Sequence, residues 1–487
     1  MDKSREISKS TAPLSPRKQT IKALADQVAI DRKSWISRNQ FYYDDHYKFM
    51  RFLTPPNASV LDLGCGVGDL LGALAPKTGV GIDLSHQSIQ IAKKSFPDYQ
   101  FYVGDVETSE TLKKLDGPFD LIILSDTIGM LEDIADTLGS IRTLCGPDTR
   151  VIVSYYSLLW SPLLKLAERF GLKQRQLPLN WLSSRDIGHL LELSDFEVIK
   201  REWRQLVPKY VFGIGPLINR LFSWWPGIRK LCLRNYIVAR PVIHEPLTEC
   251  SVSIVIPCRN ERGNIENAVA RMPRFAPVME IIFVEGHSSD DTLQEIDRVI
   301  HEYPNWDIHC YVQEGAGKGD AVRKGFAEAK NTLLMILDAD LTVAPEALPK
   351  FYNAYIQGKG EFVNGSRLIY PLDPNAMRFL NLIANRSFSI LFSWLLNQRL
   401  TDTLCGTKVL SKENYRKIAE NRSYFGDFDP FGDYDLLFGA SKLNLKIAEM
   451  PIRYGARNYG ETQISRFRDG WLLVRMITFA WRKLKAI

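Results

Sequence analysis

Short apolar runs alternate with helix-length segments along two stretches of the chain. From about residue 58 the runs read SVLDLG, VGIDLS, FYVGD, DLIILSD and RVIVSYY. From Ser251 a second series reads SVSIVIPC, EIIFVEG, IHCYVQE, LLMILDAD and EFVNGSR. Strand-length runs separated by helical stretches are typical of parallel sheets with helical crossovers. The pattern therefore predicts two doubly wound α/β domains. Their loop motifs differ, so the two domains are not repeats of each other.

Composition outside these stretches suggests the domain limits. The N-terminal segment MDKSREISKSTAPLSPRKQT has no apolar core of the kind a signal peptide needs, and residues 1–30 are predicted to form a disordered tail. The first domain is expected over 31–240, a linker over 241–250 and the second domain over 251–487. The segment VPKYVFGIGPLINRLFSWWPGIRKLCLR, rich in aromatic and basic residues, falls at the end of the first domain.

Overall composition narrows the class of protein. With 45% hydrophobic and 24% charged residues in 487, the chain is typical of a globular protein. The net charge of +6 is small for this length and does not require a nucleic-acid partner. Seven cysteines stand singly, with no C-x-x-C pair, so neither a zinc site nor a disulfide framework is indicated. A reducing, cytoplasmic compartment fits this usage best.

The first series carries a glycine-rich turn. VLDLGCGVGDLLGAL predicts a strand, a loop and a helix, and glycines let the backbone pass close to a ligand at the helix start. Asp83 ends the next strand, where a carboxylate can accept two ribose hydroxyls. Asp105 ends the third strand. These strand ends predict one ligand crevice at the carboxyl edge of the sheet.

The run Asp62-Leu63-Gly64-Cys65-Gly66-Val67-Gly68 resembles the E/D-x-G-x-G-x-G motif of class I S-adenosylmethionine-dependent methyltransferases, and the resemblance covers about residues 40–240. It implies a Rossmann-like methyltransferase in which the loop holds the methionine part of the cofactor, Asp83 the ribose and Asp105 the adenine amino group. The implied cofactor-binding residues are Asp62, Gly64, Gly66, Gly68, Asp83 and Asp105. A dinucleotide dehydrogenase is the alternative, but it would need phosphate-binding character in the loop.

The methyl acceptor is less defined. After the fourth strand the chain reads LSDTIGML, without the D/N/S-P-P-Y/F motif of adenine and amide N-methyltransferases, so no nucleic-acid acceptor is expected. The segment NWLSSRDIGHLLELSDFEVIKRE resembles small-molecule methyltransferases found beside sugar pathways. Asp126 is either an acceptor contact or a turn residue. No catalytic base is assigned, since methyl transfer depends mostly on placement.

The second series contains two carboxylates one residue apart, Asp338 and Asp340, in LLMILDADLT. In extended backbone, residues i and i+2 lie on the same side, so both side chains aim at one point. Like charges held so close repel each other unless a cation or a proton intervenes. A solvated acidic loop after a buried strand is the alternative. The nearby EGAGKGD lacks the spacing of a phosphate loop.

With SIVIPCRNERGN, EIIFVEGHSSDDT and NGSR, this stretch resembles family two glycosyltransferases of the GT-A fold, especially the dolichyl-phosphate mannosyltransferase-like branch, over about 251–470. The resemblance implies that Asp338 and Asp340 bind Mg²⁺ or Mn²⁺, which bridges the diphosphate of a nucleotide sugar donor. It assigns the donor nucleotide to the loops after the first strands and beside the metal. The implied nucleotide-binding residues are Pro257, Arg259, Glu261, Glu285, Lys318 and Asp338.

Other roles implied by this resemblance lie further along. Arg367 and Arg457 are expected to contact phosphate or the acceptor. The motifs LTDTLCGTKVL and FGDYDLLFGA resemble acceptor-side motifs, and the catalytic base is sought there. The candidate catalytic residues are Asp402, Asp433 and Asp435. Two positions depart from the family pattern, because Gly286 replaces an Asp and Gln463 replaces a Lys.

The C-terminal GWLLVRMITFAWRKLKAI pairs an apolar face with basic residues. It is either a helix lying on an anionic membrane surface or a packed terminal helix. The SWWPGIRKLCLR stretch raises the same question, and no apolar stretch is long enough to span a bilayer. The expectation is a cytoplasmic enzyme, with peripheral contact at the inner membrane face as an open alternative.

Together these motifs predict a bifunctional enzyme: a metal-dependent, inverting glycosyltransferase fused to a methyltransferase. The expected partners are a nucleotide sugar donor and a glycan or lipid-linked acceptor, in glycan or glycolipid biosynthesis. One alternative keeps a single active domain and makes the other a binding module. Another is a small-molecule methyltransferase with a glycosyltransferase-like scaffold.

Overall fold

The computed structural model describes residues 14–171, 173, 179–370, 379–422, 434–455, 459 and 466–485. The chain divides into two compact units between Val242 and Ile243, inside the segment predicted as a linker. Each unit contains one seven-stranded, mainly parallel sheet. The prediction of two α/β domains is therefore confirmed.

The sheet of the first unit has the strand order β3-β2-β1-β4-β5-β7-β6. Strands β1 to β5 run parallel to one another, whereas β7 runs antiparallel to both β5 and β6. The strands are β1 (Ser59–Leu63), β2 (Thr78–Asp83), β3 (Gln100–Val103), β4 (Phe119–Ser125), β5 (Cys145–Tyr156), β6 (Phe196–Arg204) and β7 (Arg234–Pro241).

Helices cover both faces of this sheet. Val60 of β1 belongs to the apolar core on one face, while Leu61 and Leu63 belong to the core on the other. This alternation explains why the central strands read as nearly continuous apolar runs. The helices are α1 (Pro16–Arg38), α2 (Gln40–Leu53), α3 (Asp69–Leu74), α4 (His86–Ser95), α5 (Ser109–Leu112), α6 (Ile134–Arg142), α7 (Ser161–Arg169), α8 (Ser184–Leu193) and α9 (Ile214–Phe222).

The prediction of a disordered tail over 1–30 is wrong for residues 16–30, which belong to helix α1, while residues 1–13 lie outside the described residues. The Ser15 side chain accepts a hydrogen bond from Lys18 N, and proline stands in the first turn, so the helix start is well formed. Only Ile21 and Ala29 are buried along the helix. Its weak apolar pattern hid it in the sequence, since polar contacts to the sheet edge hold it in place, as described below.

The sheet of the second unit has the order β10-β9-β8-β11-β13-β12-β14. Strand β13 is antiparallel to both β11 and β12, and the remaining pairs are parallel. The strands are β8 (Val252–Cys258), β9 (Met279–Glu285), β10 (Asp307–Val312), β11 (Leu333–Ile336), β12 (Phe362–Ser366), β13 (Lys408–Ser411) and β14 (Ile447–Pro451).

The helices of the second unit are α10 (Arg262–Ala270), α11 (Thr292–Glu302), α12 (Lys318–Glu328), α13 (Leu348–Ile356), α14 (Phe379–Leu396), α15 (Lys412–Glu420), α16 (Tyr434–Lys442) and α17 (Arg466–Leu484). The C-terminal helix α17 packs against α14. Its Met476, Ala480 and Leu484 are buried. The alternative of a packed terminal helix therefore describes this part of α17. Among the described residues, no helix is both long and apolar enough to cross a bilayer.

Candidate active sites

The glycine-rich loop of the first unit joins β1 to α3 and needs glycine for two different reasons. At Gly64, with φ of +81°, a Cβ would lie 2.3 Å from Thr127 Oγ1, so the backbone is packed against the end of β4. At Gly66, with φ of +55°, a Cβ would meet nothing within 4 Å. The loop therefore has a closed side, toward the sheet, and an open side along which a ligand can approach the backbone.

Asp83, at the end of β2, ties this loop to the neighbouring strand. Its Oδ2 accepts a hydrogen bond from Gly66 N at 2.9 Å, and its Oδ1 accepts one from Ser85 N at 2.8 Å. Burial raises the pKa of Asp83, while these backbone donors lower it, and the balance lies above the ordinary value. Each carboxylate oxygen keeps a lone pair, so the group can still accept a hydrogen bond from a ligand hydroxyl.

Asp62 lies behind the loop in β1 and is 1% exposed. Its Oδ1 is buried and has no hydrogen-bond partner among the described residues. Burial, and then the charge of Asp83, raise the pKa of Asp62 to about 7. A buried carboxylate without a donor is costly, so this oxygen suits a cationic or N–H-bearing ligand.

Asp105, just after β3, already has a cationic partner that the sequence did not reveal. Lys18 of α1 places its Nζ 2.6 Å from Asp105 Oδ2 and 2.9 Å from Glu107 Oε2. Burial lowers the pKa of Lys18, but these two carboxylates raise it, and the net shift is upward. Asp26 of the same helix accepts hydrogen bonds from Ser85 Oγ and Gln87 N. Helix α1 therefore lies along the ends of β2 and β3.

A small, open cleft lies beside the end of β4. Asp126, with φ of +61°, forms part of its wall, so its side chain is turned off the strand direction. Aromatic side chains supply much of the remaining wall. The lining includes Ile128, Tyr155, Tyr156, Asn180 and Trp181. This cleft is the place where a methyl acceptor could lie.

A buried polar network supports Asp126. Arg234, 1% exposed at the start of β7, donates from Nη2 to Asp126 Oδ2 at 2.7 Å and from Nη1 to Ser154 Oγ at 3.2 Å. Tyr42 of α2 bonds the same guanidinium and donates to Tyr156 OH at 2.9 Å. The other carboxylate oxygen of Asp126, Oδ1, is buried and unpartnered among the described residues.

His46, also in this network, lies 2.9 Å from Tyr236 OH through Nδ1. Burial, then the charge of Arg234, hold the pKa of His46 well below its ordinary value, so the imidazole is neutral. Sequence reasoning named Asp126 but missed His46 and Arg234. They come from α2 and β7, far along the chain from β4, and no local motif marks them.

In the second unit, Asp338 lies just beyond β11 and contacts a lysine. Lys318, the first residue of α12, places its Nζ 2.6 Å from Asp338 Oδ1. A Cβ at Gly406 would lie 2.0 Å from Asp338 Oδ2 and 2.3 Å from Lys318 Nζ. Glycine is therefore required at 406, because any side chain would displace this ion pair.

The electrostatics of Asp338 are dominated by cations. Burial raises its pKa, but Lys318, and then Lys408 and Arg367, lower it below the ordinary value. The carboxylate is thus ionised throughout the neutral range. Asp340 Oδ1 accepts hydrogen bonds from Thr342 N at 3.1 Å and Thr342 Oγ1 at 2.8 Å, which fixes its orientation. Two oriented carboxylates supply the oxygen ligands that a hard divalent cation prefers.

The loops after β8 and β9 are bonded to each other. Asn260 Oδ1 accepts from Ser289 N at 2.8 Å, and Ser288 Oγ accepts from Asn260 N at 3.0 Å. Glu285, 4% exposed at the end of β9, accepts hydrogen bonds from His287 N and Ser288 N at 3.1 and 2.6 Å. These hydrogen bonds stabilise the loop after β9. Glu285 was predicted from the sequence to contact the nucleotide.

The other predicted nucleotide contacts stand in the loop after β8. Glu261 is 7% exposed and accepts a hydrogen bond from Asn264 Nδ2 at 2.7 Å. Pro257 is half-buried within β8, and Arg259 is exposed. Of these three, Arg259 is the side chain that the fold leaves most accessible to a ligand.

Arg367, just after β12, forms a two-point ion pair with Asp402. Its Nε lies 2.6 Å from Asp402 Oδ2, and its Nη2 lies 2.9 Å from Oδ1. Asp402 is 0% exposed and also accepts from Leu404 N at 3.0 Å. Burial raises the pKa of Asp402, but Arg367 lowers it below the ordinary value. Because both oxygens of Asp402 are bonded to Arg367, we interpret it as a positioning residue and not as the catalytic base for which it was a candidate.

Asp435, in the first turn of α16, is the other described candidate for the catalytic base. Arg422 Nε lies 2.8 Å from Asp435 Oδ2, and the Asp435 side chain is 10% exposed. The remaining acceptor-side predictions, Asp433 and Arg457, lie outside the described residues, as does Gln463.

A third acidic cluster was not predicted. Among the described residues, Glu280, Asp307 and His309 are the group of three whose ligand atoms lie within 4.8 Å of one another. They stand at the amino ends of β9 and β10, the opposite sheet edge from Asp338. Lys330 Nζ lies 3.2 Å from His309 Nε2, so a cationic side chain already faces this group. This cluster is therefore different from the predicted metal site, which is formed by Asp338 and Asp340.

Family models match both units. Residues 36–201 match the family described as "Methyltransferase domain", and residues 253–418 match "Glycosyl transferase family 2". These matches, with the two sheet topologies, confirm the predicted fusion of a methyltransferase domain and a family 2 glycosyltransferase domain.

Among curated proteins, the glycosyltransferase AglD of Haloferax volcanii is 26% identical over 239 residues, which are 48% of this chain and 37% of that protein. Dolichol-phosphate mannosyltransferase of Saccharomyces cerevisiae is 36% identical over 107 residues, 21% of this chain and 40% of that protein. The chain thus spans less than half the length of these two relatives.

Solved structures resemble each unit at low scores. A possible histamine N-methyltransferase from Thermotoga maritima is 17% identical with a TM-score of 0.36, and the match covers 45% of this chain and 99% of that one. Glucosyl-3-phosphoglycerate synthase from Mycobacterium tuberculosis, solved with Mn²⁺ and uridine diphosphate, is 18% identical with a TM-score of 0.36, covering 48% and 80%. At these scores neither structure carries an argument about this chain.

Proposed function

Because the chain joins a methyltransferase domain to a family 2 glycosyltransferase domain, we propose that it is a bifunctional enzyme. One unit transfers a sugar from a nucleotide sugar, with inversion and with a divalent metal, and the other transfers a methyl group from S-adenosylmethionine. The observation that carries the proposal is that each unit has buried or oriented carboxylates at the carboxyl edge of its own sheet. The product is a methylated glycan or glycolipid.

In the methyltransferase unit, S-adenosylmethionine would supply an electrophilic methyl group. The open side of Gly66 leaves room for its methionine part, and the unpartnered Asp62 Oδ1 suits the methionine ammonium. Asp83 is proposed to accept the ribose hydroxyls. Asp105 is proposed to contact the adenine amino group, which requires Lys18 to share or release it. Asp62, Asp83, Asp105 and Glu107 outnumber Lys18 at these strand ends, and this excess of carboxylates favours a cofactor that carries a sulfonium.

Asp126 is proposed to position the methyl acceptor. Arg234 fixes Oδ2, and the unpartnered Oδ1 can accept a hydrogen bond from the acceptor hydroxyl. Aromatic side chains such as Tyr156 and Trp181 can cover the apolar face of a sugar ring. Correct placement supplies most of the rate for a methyl transfer from a sulfonium to oxygen. A sugar hydroxyl is therefore the acceptor class that this cleft fits best.

In the glycosyltransferase unit, Asp338 and Asp340 would hold Mg²⁺ or Mn²⁺. The metal, when bound, neutralises charge on the nucleoside diphosphate that leaves. Lys318, next to Asp338, is within reach of the same phosphates. Among the described carboxylates on the acceptor side, Asp435 is the proposed proton acceptor, because its side chain is 10% exposed, whereas Asp402 is 0% exposed and Arg367 contacts both of its oxygens. A lipid phosphate acceptor is already ionised and would need little help from a base.

The acceptor class and the cellular place are part of the same proposal. The resemblance to a dolichol-phosphate mannosyltransferase supports a lipid-linked acceptor for the sugar. All seven cysteines are unpaired, which suits the reducing cytoplasm, with contact to the membrane where a lipid-linked acceptor would reside.

The proposal is tested by two assays on the full chain. Nucleotide release is followed over a panel of uridine and guanosine diphosphate sugars with Mn²⁺ and a polyprenyl phosphate, and methyl transfer is followed with labelled S-adenosylmethionine on the glycosylated product. Asp340→Asn should abolish only the first activity, and Asp83→Ala only the second. Activity in a single unit, with ligand binding in the other, would replace the proposal by one enzyme with a binding module.

A further inference from the structure

The first unit exposes many large apolar side chains on α7 and on the segment from residue 209 to 231. We call this the α7/α9 surface. Phe170 at the end of α7 is 69% exposed and Leu217 of α9 is 56% exposed. Other exposed members are Leu159, Leu163, Phe212 and Trp225. Monomeric proteins rarely leave apolar side chains grouped in this way without a partner.

The two parts of the surface are neighbours. Trp160 Nε1, just before α7, donates to Leu231 O at 2.7 Å. Beneath them, Leu164 of α7 is buried in one small apolar cluster with Leu233. The start of α7 and the end of the 209–231 segment therefore lie next to each other on the surface of the unit.

Within the 209–231 segment, a strained turn exposes an aromatic side chain. Val211 and Phe212 have φ of 41° and 52°, the left-handed region that bulky residues rarely adopt. Phe212 is 100% exposed. Hydrogen bonds hold the turn, because Gly215 N donates to Tyr210 O at 3.1 Å and the Asn219 side chain bonds both backbone groups of Val207. A strained backbone that leaves a phenylalanine side chain in solvent indicates a function for that side chain.

Charge on the surface is almost entirely positive. Lys165, Arg169, Arg220 and Lys230 are exposed. Between residues 158 and 171 the one acidic residue is Glu168, which lies 3.5 Å from Lys173, and between 209 and 231 the sequence contains none. Surfaces buried between protein copies are depleted in lysine at their cores. Apolar and aromatic side chains among lysines and arginines instead match the boundary of an anionic bilayer.

We propose that the α7/α9 surface docks the methyltransferase unit on an anionic membrane, with Phe212 and Trp225 entering the boundary between headgroups and acyl chains. It would bring that unit to a lipid-linked acceptor, and in that respect it extends the proposed function. The residues of this surface nevertheless lie outside both proposed crevices. Membrane binding and transfer activity can therefore fail separately.

The test is sedimentation of the full chain with vesicles of phosphatidylcholine alone or with about one third phosphatidylglycerol. Wild-type protein should bind the anionic vesicles, and added salt should weaken binding because the charges are screened. Phe212→Asp should weaken it by about tenfold or more, because a charge replaces an inserted ring. Leu193→Asp is the matched control, because Leu193 of α8 is 65% exposed outside this surface. It should leave binding unchanged.

Two further variants separate the apolar and ionic contributions. Arg220→Glu with Lys230→Glu should remove the preference for anionic vesicles. Trp225→Phe should reduce quenching of tryptophan fluorescence by lipids with brominated acyl chains. Transfer of both groups to a water-soluble acceptor should survive in all variants, which shows that the crevices are intact. The proposal is overturned if wild-type protein does not bind anionic vesicles, if Leu193→Asp loses binding equally, or if Phe212→Asp instead abolishes a dimer measured by ultracentrifugation.

Discussion

Each proposed crevice contains a lysine paired with a carboxylate at the same distance, and the two pairs have opposite surroundings. Lys18 Nζ lies 2.6 Å from Asp105 in the first unit, and Lys318 Nζ lies 2.6 Å from Asp338 in the second. Lys18 serves two carboxylates, Asp105 and Glu107. Asp338 is instead surrounded by Lys318, Lys408 and Arg367, which lower its pKa.

This difference corresponds to the charge of the proposed ligands. Around the glycine loop, burial raises the pKa values of Asp62 and Asp83, and the crevice gains from a ligand that brings positive charge. Around Asp338 the cations keep the carboxylate ionised, as the proposed metal site requires, and Lys318 is the cation proposed to reach the phosphates. The distance within such an ion pair therefore does not indicate the charge of a ligand. The other charged groups around the pair are the better indicator.

The largest expected effect comes from Asp402→Ala in the second unit. It leaves the Arg367 guanidinium buried without its two-point partner, and losing one partner of a buried pair typically costs about 3–5 kcal/mol of folding free energy. Denaturant unfolding followed by limited proteolysis of the second unit should detect the loss. Glu420→Gln, which breaks an exposed pair with Arg416, is the control and should change little. Wild-type stability with lost sugar transfer would instead restore Asp402 as a catalytic residue.

Asp340→Asn should affect the coupling between metal and nucleotide. The carboxylate pair alone offers few ligands, so Mn²⁺ and the diphosphate should each tighten the other's binding by the same factor. The variant should lower this factor by about tenfold, within the usual range of coupling energies. Calorimetric titration of uridine or guanosine diphosphate with and without Mn²⁺ measures it in both proteins. Equal nucleotide affinity in all four titrations would remove the metal from the proposal.

Asp83→Ala tests the first crevice in the same way. It removes the proposed ribose contact and also leaves Gly66 N without its acceptor. The expected loss of S-adenosylmethionine affinity is about 1.5–3 kcal/mol, the range for hydrogen bonds to charged groups. Nucleotide binding by the second unit in the same variant is the control. Cofactor affinity that stays at the wild-type value, with the fold intact, would contradict the role of Asp83.

The pH dependence of the first unit should reveal Asp62. Its pKa is about 7 in the folded protein and 3.8 in a solvated reference, so between these values the folded state binds the extra proton. Stability should therefore fall as pH rises from 4 to 7 and then level off. A cationic ligand favours the ionised form, so cofactor affinity should rise as pH increases through 7. Asp83, whose pKa is also raised, contributes in the same direction to stability.

Asp62→Asn should flatten both profiles, which thermal unfolding between pH 4 and 8 and cofactor titrations at pH 6 and 8 would measure. The amide cannot ionise, so neither the loss of stability nor the gain in affinity should remain at full size. A profile identical to that of the wild type would mean that Asp62 is not the titrating group.

The smallest effect is expected from Lys18→Met. The methionine keeps the apolar stem and removes the ion pairs with Asp105 and Glu107, whose side chains are 11% and 10% exposed. Partly exposed pairs are typically worth about 0–1 kcal/mol. If Lys18 competes with the adenine amino group for Asp105, cofactor affinity should rise severalfold. A fall in affinity would show that Lys18 assists binding.

Periodicity and local motifs predicted the sheets, the glycine loop and the acidic strand ends, because these depend on neighbours in sequence. Helix α1 escaped prediction, since it buries little and is held by Lys18 and Asp26 contacts to residues far along the chain. The Asp126 cleft was only partly foreseen, because Arg234 and Tyr42 reach it from other elements.

The sequence by itself determined which residues end the strands and so which side chains meet at the two sheet edges. Alternation along a strand and glycine at φ above zero are local properties, and no distant residue is needed to infer them. The tertiary structure alone decided the partner of each carboxylate. Lys18 for Asp105, Arg234 for Asp126 and Arg367 for Asp402 are separated in sequence by 87, 108 and 35 residues. Their contacts depend on packing, which no local pattern encodes, and they set the pKa values and the roles.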